Sequence, residues 1–432
     1  MSNVKRIVVL LGFSSGILAS PLIAKVSSEG TIIPDKYIVR VASGTHDTDF
    51  ESHLSWVTNV HKRSLSRRST AGVEKTFSVG DFKAYAGEFD SETIAEIEKD
   101  GSAVSVEPDR VVEAAALVTQ AAAPWGLSSL SSTTPLADGS SSSPYIFDST
   151  AGEGTYAYVL DSGVTIEHAE LGGRAIRGYN AWEPNYPFED EFGHGSHVAG
   201  IIGAATYGVA KKATVVDVKV VRGLGYSTVA HVLDGYSWAV NNITNTPGRV
   251  SKAVINMSLG ELNTSTRTRD LGLCSERLAD FTKAFPKSDA MNSAVDAAFD
   301  LGVATVVGAG NDGKDASTKS PASAQKAITV GAVAWNWTRA DWSNFGADVN
   351  IFAPGLDIPS LWRQPGQVSV VSGTSMATPH VAGLVAYLQA LYPLENAAAV
   401  VEKLNELAFK GVVGNPGSGS ANVLAHSGVV SV

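Results

Sequence analysis

The sequence contains a single cysteine, Cys274, among 432 residues. A chain with one cysteine has no intramolecular disulfide, so a packed hydrophobic core has to supply its stability. Cys274 lies in the polar stretch 267–277, where no histidine is near. We therefore interpret it as an incidental residue rather than as a catalytic thiol.

Charge and long hydrophobic runs are also in short supply. Only 18% of the residues are charged, and the net charge is −10. An acidic surface argues against a nucleic-acid partner or an anionic-membrane partner. Beyond the N-terminus no segment reaches the 20 or so apolar residues that span a bilayer. The chain, 44% hydrophobic, is long enough for one large core and a smaller domain. We expect it to be a monomer.

The N-terminus has the pattern of a signal peptide over residues 1–20. Lys5 and Arg6 precede a short apolar run that ends at Leu18, and Ala19 and Ser20 supply small residues for cleavage. The alternative is a membrane anchor, for which the apolar run is short. This pattern predicts a secreted, extracellular protein, with a vacuolar location as second choice.

Residues 21–115 form a predicted small α+β domain. Lys36–Val41 and Phe82–Phe89 alternate like strands, Ser91–Asp100 indicates a short helix, and Val104–Glu107 indicates a strand that Pro108 closes. The basic stretch His61–Thr70 is expected to be a loop. Residues 111–123 then become Ala-rich and featureless, which predicts a domain boundary and a cleavage linker.

Residues 116–432 alternate between short apolar strands and helices. Predicted strands and helices follow one another through Tyr156–Leu160, Gly195–Ala205, Ala213–Val221, Thr228–Ile243, Ala253–Met257, Asn292–Leu301, Ala304–Gly308, Ala327–Val333 and Val349–Phe352. This alternation predicts the α/β class, with a mostly parallel central sheet and helices on both faces. In such sheets function gathers at the carboxyl ends of the strands.

The chain is organised around residues 371–383, in which Ser375 starts a predicted buried helix. The unpaired N–H groups and the positive end of a helix can hold an oxyanion beside a serine hydroxyl. A serine nucleophile needs a base and a carboxylate that orients the base. Asp161 follows a strand directly, and His194 stands between glycines at a helix start. Each residue alone also suits a cap or a turn, but together they indicate a catalytic triad.

Three segments resemble the signature motifs of the subtilases: Tyr158–Gly163, Gly193–Gly200 and Ser372–Gly383. The order Asp, His, Ser agrees with that family. Further segments are similar to its proteinase K-like fungal branch, namely 123–127, 207–212 and 233–240. The small N-terminal domain is similar to the inhibitory propeptide of these proteases. The resemblance implies a subtilisin-like fold and a propeptide that is an intramolecular inhibitor.

The resemblance also implies a set of site residues. Asp161, His194 and Ser375 would form the triad, and Asn311 with the Ser375 N–H would form the oxyanion hole. Ser258, Leu259 and Gly260 resemble the strand that pairs with the substrate backbone, and Gly225 and Tyr226 resemble the opposite edge strand. An extended polypeptide held by two backbone ladders implies broad specificity, with an apolar or aromatic preference.

The sequence departs from the family pattern at several places. Val198 stands where this branch often has a free cysteine. Asn350 stands where a calcium-binding aspartate is common, and an amide is a poorer ligand for a hard cation than a carboxylate. We expect that the chemistry needs no cofactor. A structural calcium ion, with Asp348 as a ligand, is an open alternative. Residues 261–290 form an insertion of open function.

Candidate glycosylation sites are Asn242, Asn263 and Asn336, each in an Asn-x-Ser/Thr sequence. Asn256 also matches this sequence but lies in an apolar strand, where we expect it to be buried.

Other functions fit the sequence less well. Gly308–Gly313 matches the dinucleotide fingerprint, but the polar stretch after it does not open a helix. An α/β-hydrolase needs Gly-x-Ser-x-Gly and the order Ser, Asp, His. His194 and His197 could suggest a metal pair, but no third ligand is evident. A catalytically inactive subtilase-like surface or binding protein is the remaining alternative.

Overall fold

The computed structural model describes residues 32–64, 71–111, 116–139, 143–223, 225–259 and 287–429. The chain divides into two compact units, Met1–Ala115 and Ala116–Val432. Each unit has its own sheet and its own hydrophobic core.

The first unit is an antiparallel sheet with two helices. Its elements are β1 (Ile32–Val41), α1 (Asp47–Arg63), β2 (Gly72–Val79), β3 (Phe82–Glu88), α2 (Ser91–Lys99) and β4 (Ala103–Arg110). The strand order is β2-β3-β1-β4. Its core joins Val39, Tyr85 and Phe89 on the sheet side to Val57 and Ile97 of the helices. The predicted α+β character of this unit is confirmed.

Two details of this unit differ from the sequence-based expectation. Helix α1 extends through Arg63, so the stretch 61–70 begins as helix, and its remaining residues 65–70 lie outside the described residues. Pro108 does not close a strand, because β4 continues through it to Arg110. Proline is tolerated there because β4 is an edge strand, where the missing N–H needs no ladder partner.

The second unit alternates strands and helices. Its strands are β5 (Leu117–Gln120), β6 (Tyr145–Asp148), β7 (Tyr156–Asp161), β8 (Ala175–Asn180), β9 (Thr214–Lys219), β10 (Ala253–Met257), β11 (Ala304–Gly308), β12 (Ile328–Val333), β13 (Ile351–Pro354), β14 (Ile358–Leu361), β15 (Val368–Val371), β16 (Phe409–Lys410) and β17 (Val423–Leu424). Its helices are α3 (Trp125–Ser129), α4 (His194–Gly203), α5 (Val229–Thr244), α6 (Asp289–Asp300), α7 (Thr374–Leu391) and α8 (Ala397–Leu407).

The central sheet is parallel except at one edge. Within the described residues its order is β16-β17-β13-β12-β11-β10-β7-β9-β8, and only β16 pairs antiparallel. Strands β11, β10 and β7 are neighbours in the middle, with Val254 opposite both Ala304 and Ala157. The carboxyl ends of these three strands therefore lie side by side. The candidate site residues follow the strands in the chain at these ends.

Helices cover both faces of this sheet, as predicted. One face packs against α4, α7 and α8, with Ile201, Leu384 and Leu404 in its core. The other face packs against α5 and α6, with Tyr236 and Val295 in its core. Strands that are covered on both faces read as continuous apolar runs, which explains why β7, β10 and β11 were evident from the sequence.

The expectation of a featureless linker over residues 111–123 is wrong in part. Strand β5 pairs antiparallel with β6, from Leu117 opposite Asp148 to Gln120 opposite Tyr145. The Ser149 N–H also donates to the Ala116 carbonyl at 2.8 Å. The chain from Ala116 onward therefore belongs to the second unit. The short helix α3 follows soon after β5 in this unit.

In the part of the chain that the structure describes, no helix is long and apolar enough to cross a membrane. Most of the predicted insertion 261–290 lies outside the described residues, and its last two residues begin α6.

Candidate active site

Asp161 and His194 form a buried hydrogen-bonded pair. Asp161 ends β7, and His194 is the first residue of α4. His194 Nδ1 lies 2.8 Å from Asp161 Oδ1 and 2.9 Å from Oδ2. Asp161 is only 2% exposed, so water has little access to this hydrogen bond. This contact fixes the Nδ1–H tautomer and leaves Nε2 as the basic nitrogen.

The approach of α4 to the turn after β7 depends on a glycine. A Cβ on Gly195 would lie 2.1 Å from the Gly163 carbonyl oxygen and 3.1 Å from Asp161 Cβ. Any side chain at this position would push the helix, and His194 with it, away from Asp161. The glycine after His194 is therefore required by contact with the Asp161 turn.

Asp190 caps the start of α4 from the preceding loop. Its Oδ1 accepts from the Gly193 N–H at 2.7 Å and from the Ser162 hydroxyl at 2.7 Å. Its Oδ2 accepts from the Ser196 N–H at 2.8 Å. A carboxylate at a helix N-terminus satisfies unpaired N–H groups and the helix dipole. The Ser162 hydroxyl in turn accepts from the Gly195 N–H, which links Asp190 to the residue after Asp161.

Ser375 is the second residue of α7 and is 1% exposed. In this conformation its hydroxyl donates to the Ser258 carbonyl at 3.0 Å. His194 Nε2 is buried and has no hydrogen-bond partner among the described residues. The structure thus brings Asp161 to His194 and brings Ser375 to Ser258, at the end of β10.

Asn311 follows β11 and caps the start of α7. Its Oδ1 accepts from the Thr374 N–H at 2.8 Å and from the Thr374 hydroxyl at 2.9 Å. This fixes which end of the amide faces the helix, so Nδ2 points elsewhere, and it is buried without a partner in the described part of the chain. Two hydrogen bonds to the oxygen thus preorganise the Nδ2 donor.

The Asn311 donor and the Ser375 N–H converge on the space beside Gly373. A Cβ on Gly373 would lie 3.7 Å from Asn311 Nδ2 and 3.6 Å from Ser375 N. The N–H of Ser375 has no acceptor within α7, because it lies in the first turn. Two unpaired donors that face one space can bind an oxyanion.

Opposing effects act on the ionisation of His194. Burial disfavours the charged imidazole, while the charge of Asp161, its hydrogen bond and the charge of Asp190 favour it. The net result is that the pKa of His194 is raised above its ordinary value of 6.5. The paired carboxylate therefore more than offsets burial, and His194 holds a proton more readily than a free histidine.

His197 has a structural environment. Its Nε2 lies 3.1 Å from the Ile358 carbonyl and 3.2 Å from the Ser369 carbonyl. Burial, with the nearby His194, lowers the pKa of His197 to about 3. It is thus a neutral donor that ties α4 to the β14–β15 hairpin, which agrees with the structural interpretation of this residue.

The substrate-strand residues are only partly described. Ser258 and Leu259 are buried directly after β10, and Gly260 lies outside the described residues. Tyr226 exchanges backbone hydrogen bonds with Arg222, so the opposite edge is a tight loop with Gly225 at φ 102°. The Tyr226 side chain is 57% exposed. Arg222 lies over the Trp182 ring at 4.3 Å and over the Tyr226 ring at 5.5 Å.

The candidate glycosylation sites have different surroundings. Asn336 is exposed in a turn, where its Oδ1 accepts from the Thr338 N–H at 3.1 Å. Asn242 is half-buried in α5, and its Oδ1 accepts from the Tyr158 hydroxyl at 2.5 Å. Asn263 lies outside the described residues. Asn256 is fully buried in β10.

Asn350 and Asp348 lie beside polar partners from the protein itself. Asn350 Oδ1 accepts from the Thr329 N–H at 2.7 Å, so its oxygen already has a donor. Lys326 lines the same surface cavity of about 310 Å³ and brings a positive charge. Asp348 is within 3.4 Å of Gln325 Nε2. Over the residues that the structure covers, no group of three or more His, Cys, Asp or Glu side chains could hold a metal.

The site has the parts of a serine hydrolase: a carboxylate–imidazole pair, a serine at a helix start and two converging donors. Comparison with known proteins gives its family. A profile of the subtilase family matches residues 152–418, and a peptidase inhibitor I9 profile matches residues 36–115. The chain belongs to the subtilase family and is a subtilisin-like serine protease with an I9 propeptide domain.

Relatives match over almost the whole chain. It is 46% identical to an alkaline proteinase of Hapsidospora chrysogena and 44% identical to alkaline protease 1 of Emericella nidulans, with 99% of each chain covered. A crystal structure of a cold adapted subtilisin-like serine proteinase aligns with a TM-score of 0.59 and 35% identity, over 71% of this chain and 98% of that one. The predicted family, propeptide type and fold class are confirmed.

Sequence reasoning missed Asp190, Ser162 and Thr374. Asp190 lies four residues before the helix start at His194, a position from which a carboxylate can reach the first helical N–H groups. That spacing is a usable signal. The contact of Thr374 with Asn311 joins residues 63 apart, and no local pattern predicts it.

The raised pKa of His194 predicts the acid side of the pH profile. His194 must be neutral to accept the serine proton, so kcat/KM should fall on acidification with a midpoint above 6.5. The measurement is kcat/KM for an uncharged peptide substrate between pH 5 and 9. Enzyme held at each pH and assayed again at pH 8 controls for unfolding. A rate that does not change over this range would contradict the role of His194 as the base.

The preorganised amide of Asn311 predicts the effect of Asn311→Asp. The change keeps an oxygen acceptor for Thr374 but removes the Nδ2 donor. We expect kcat to fall by roughly 10²–10³-fold with little change in KM, because the donor acts on the oxyanion. Asn405→Asp on α8 is the matched control and should leave kcat unchanged. A normal kcat for Asn311→Asp would exclude Asn311 from the oxyanion hole.

Proposed function

We propose that the chain is a secreted serine endopeptidase, made as a zymogen that cuts itself, with Asp161, His194 and Ser375 as its triad. The observation that carries this proposal is the buried Asp161–His194 hydrogen-bonded pair, together with two donors, Asn311 Nδ2 and the Ser375 N–H, beside Gly373. The carboxylate orients the imidazole so that Nε2 can act as a base, and the two donors can bind an oxyanion.

The reaction follows from these groups. His194 Nε2 takes the Ser375 hydroxyl proton while Oγ attacks the peptide carbonyl carbon. The carbonyl oxygen becomes an oxyanion that receives hydrogen bonds from Asn311 Nδ2 and the Ser375 N–H. His194 then gives its proton to the leaving amine as the C–N bond breaks. Water, activated by His194, cleaves the acyl-enzyme and restores the serine.

The hydrogen bond of Ser375 to the Ser258 carbonyl suggests how substrate starts this sequence. A substrate strand that pairs with residues 258–260 would present an N–H to that carbonyl. The two donors would compete for it, and the displaced hydroxyl would be free to turn to His194 Nε2. Substrate binding would thus favour the reactive rotamer of the nucleophile.

Broad specificity with an apolar or aromatic preference is part of the proposal. Leu259 supplies an apolar wall, and the exposed Tyr226 ring beside Trp182 offers an aromatic surface at the opposite edge. Backbone pairing at Ser258 and Leu259 would bind any extended polypeptide. The names of the relatives, alkaline proteinases, agree with protein substrates.

The inactive, binding-only alternative makes a different prediction for covalent chemistry. A serine-reactive phosphonate should label the wild-type protein and not Ser375→Ala. Labelling of neither would favour the binding protein.

Self-processing is predicted to remove the first unit. The I9 match and the first unit both end at Ala115, and Ala116 is held in the second unit by Ser149. We expect secreted wild type to begin at or near Ala116 by N-terminal sequencing. Ser375→Ala should keep the propeptide, because its nucleophile is gone.

Ser369→Ala on β15 is the matched serine control and should mature like wild type. A full-length wild type that becomes active only after added trypsin would show that another protease does the processing. A Ser375→Ala chain that matures in a host lacking other proteases would contradict self-cleavage.

Chelation is predicted to leave the chemistry intact. The proposed groups are a carboxylate, an imidazole, a hydroxyl and N–H donors, so EDTA should leave kcat unchanged in the minutes after it is added. The thermal midpoint with EDTA and with calcium tests separately for a structural ion. If EDTA lowered kcat at once and added calcium restored it, that result would contradict a metal-free mechanism.

A further inference from the structure

Lys219 is a buried cation directly behind the triad. It ends β9 beside β7, with Lys219 opposite Asp161 in the sheet register. Its side chain is 0% exposed. Burying an ammonium group is costly unless other groups compensate its charge, so this residue needs an explanation.

The ammonium bonds to two backbone carbonyls on different loops. Nζ donates to the Ser162 carbonyl and to the Glu189 carbonyl, the latter at 2.9 Å. Ser162 follows Asp161, and Glu189 precedes Asp190, the residue that caps α4 at His194. Lys219 therefore ties the loop that carries the triad carboxylate to the loop that fixes the start of the histidine helix.

The charge of Lys219 faces a cluster of carboxylates. Burial lowers the pKa of Lys219, while the charges of Asp190, Glu191, Asp217 and Asp161 oppose this effect and favour the ammonium form. The Glu191 carboxylate is 3.9 Å away, too far for a hydrogen bond. Asp217 is paired instead with Arg177 at 2.6 Å. Lys219 thus bonds to carbonyls while its positive charge offsets several acids around it.

We propose that Lys219 is a positioning residue for peptide hydrolysis: its ammonium holds the Asp161 and Asp190 loops together and offsets the carboxylates that would otherwise keep a proton on His194. This inference rests on the proposed function. No described contact joins Lys219 to Ser375, so its effect passes through the loops and through the field at His194.

The groups around His194 give the direction of the effect. The charges of Asp161 and Asp190 favour its protonated form. Lys219 interacts electrostatically with both of these carboxylates and so offsets their effect. The Tyr186 ring, 5.7 Å from Lys219 Nζ, is neutral at the working pH. Removing the Lys219 charge leaves the acids less compensated. The imidazole should then keep its proton to higher pH.

The test compares Lys219→Met with Lys219→Gln in the processed enzyme. Met removes both the charge and the carbonyl bonds, whereas Gln removes the charge and keeps an N–H donor. For both we expect the acid side of the kcat/KM profile to move up by about one pH unit, the size of a nearby-charge effect. Met should also lower kcat at the plateau by about tenfold, because the loops lose their tie. Lys212→Met, an exposed lysine paired with Glu153, should change neither.

Active enzyme is counted by phosphonate labelling, so that misfolded protein does not enter kcat. An unmoved acid side in a labelled, folded Lys219→Gln enzyme would overturn the proposal and leave Lys219 a structural residue. If Lys219→Met does not accumulate, Lys219→Gln decides by the same readout. Failure of wild type to label or hydrolyse would instead refute the proposed function, so the two failures are distinguishable.

Discussion

The close contact between the start of α4 and the turn after β7 is the constraint on which the site depends. Gly195 lies against the Gly163 carbonyl with no room for a Cβ, and this contact sets His194 against Asp161. Two residues hold this contact by hydrogen bonds. Lys219 bonds to the carbonyl of the turn after β7, and Asp190 accepts from the N–H just before α4. A shift of the helix would lengthen the Asp161–His194 hydrogen bond and expose it to water. Electrostatic stabilisation by such a pair weakens as the local dielectric rises.

Burying charged groups at the carboxyl ends of these strands costs free energy. The apolar layers on the two faces of the sheet offset this cost. Asp161, Asp190, Asp217 and Lys219 are all buried within a short part of the sheet edge. Burial raises the pKa of Asp217 to about 7 although Arg177 is bound to it, which shows how strongly this region disfavours charge. The sheet is packed with helices on both faces, and burial of apolar surface contributes about 25 cal/mol per Å². A large core thus makes room for a charged site without the help of a disulfide.

Much of the fold was predictable because its strands are buried on both sides. Strands β10 and β11 were predicted to the residue, and α4 and α5 within one or two residues of their ends, since apolar runs and glycine or capping residues mark them. The positions of Asp161, His194, Ser375 and Asn311 at element junctions were predictable because each stands inside a specific motif. Helix α1 was missed because its residues are mostly polar and only one side of it is buried.

Other features could not be predicted, because they depend on partners far away in the chain. The pairing of β5 with β6 joins two four-residue segments on either side of α3 in the chain, and neither segment has a strand pattern of its own. Lys219 is a lone charge in an apolar strand. That is a signal of a buried role, but its two carbonyl partners are 57 and 30 residues away.

The orientation of the polar side chains of the site follows from the same long-range constraints. Asn311 could satisfy its amide by turning over, but Thr374 donates two hydrogen bonds to its oxygen and prevents this. His194 could turn its ring, but Asp161 binds Nδ1 with both oxygens. Each group is thus held in one orientation, with His194 Nε2 and Asn311 Nδ2 directed away from these partners. In the proposed reaction these two atoms meet a serine proton and a tetrahedral oxyanion without reorientation, so the stabilisation falls on the transition state.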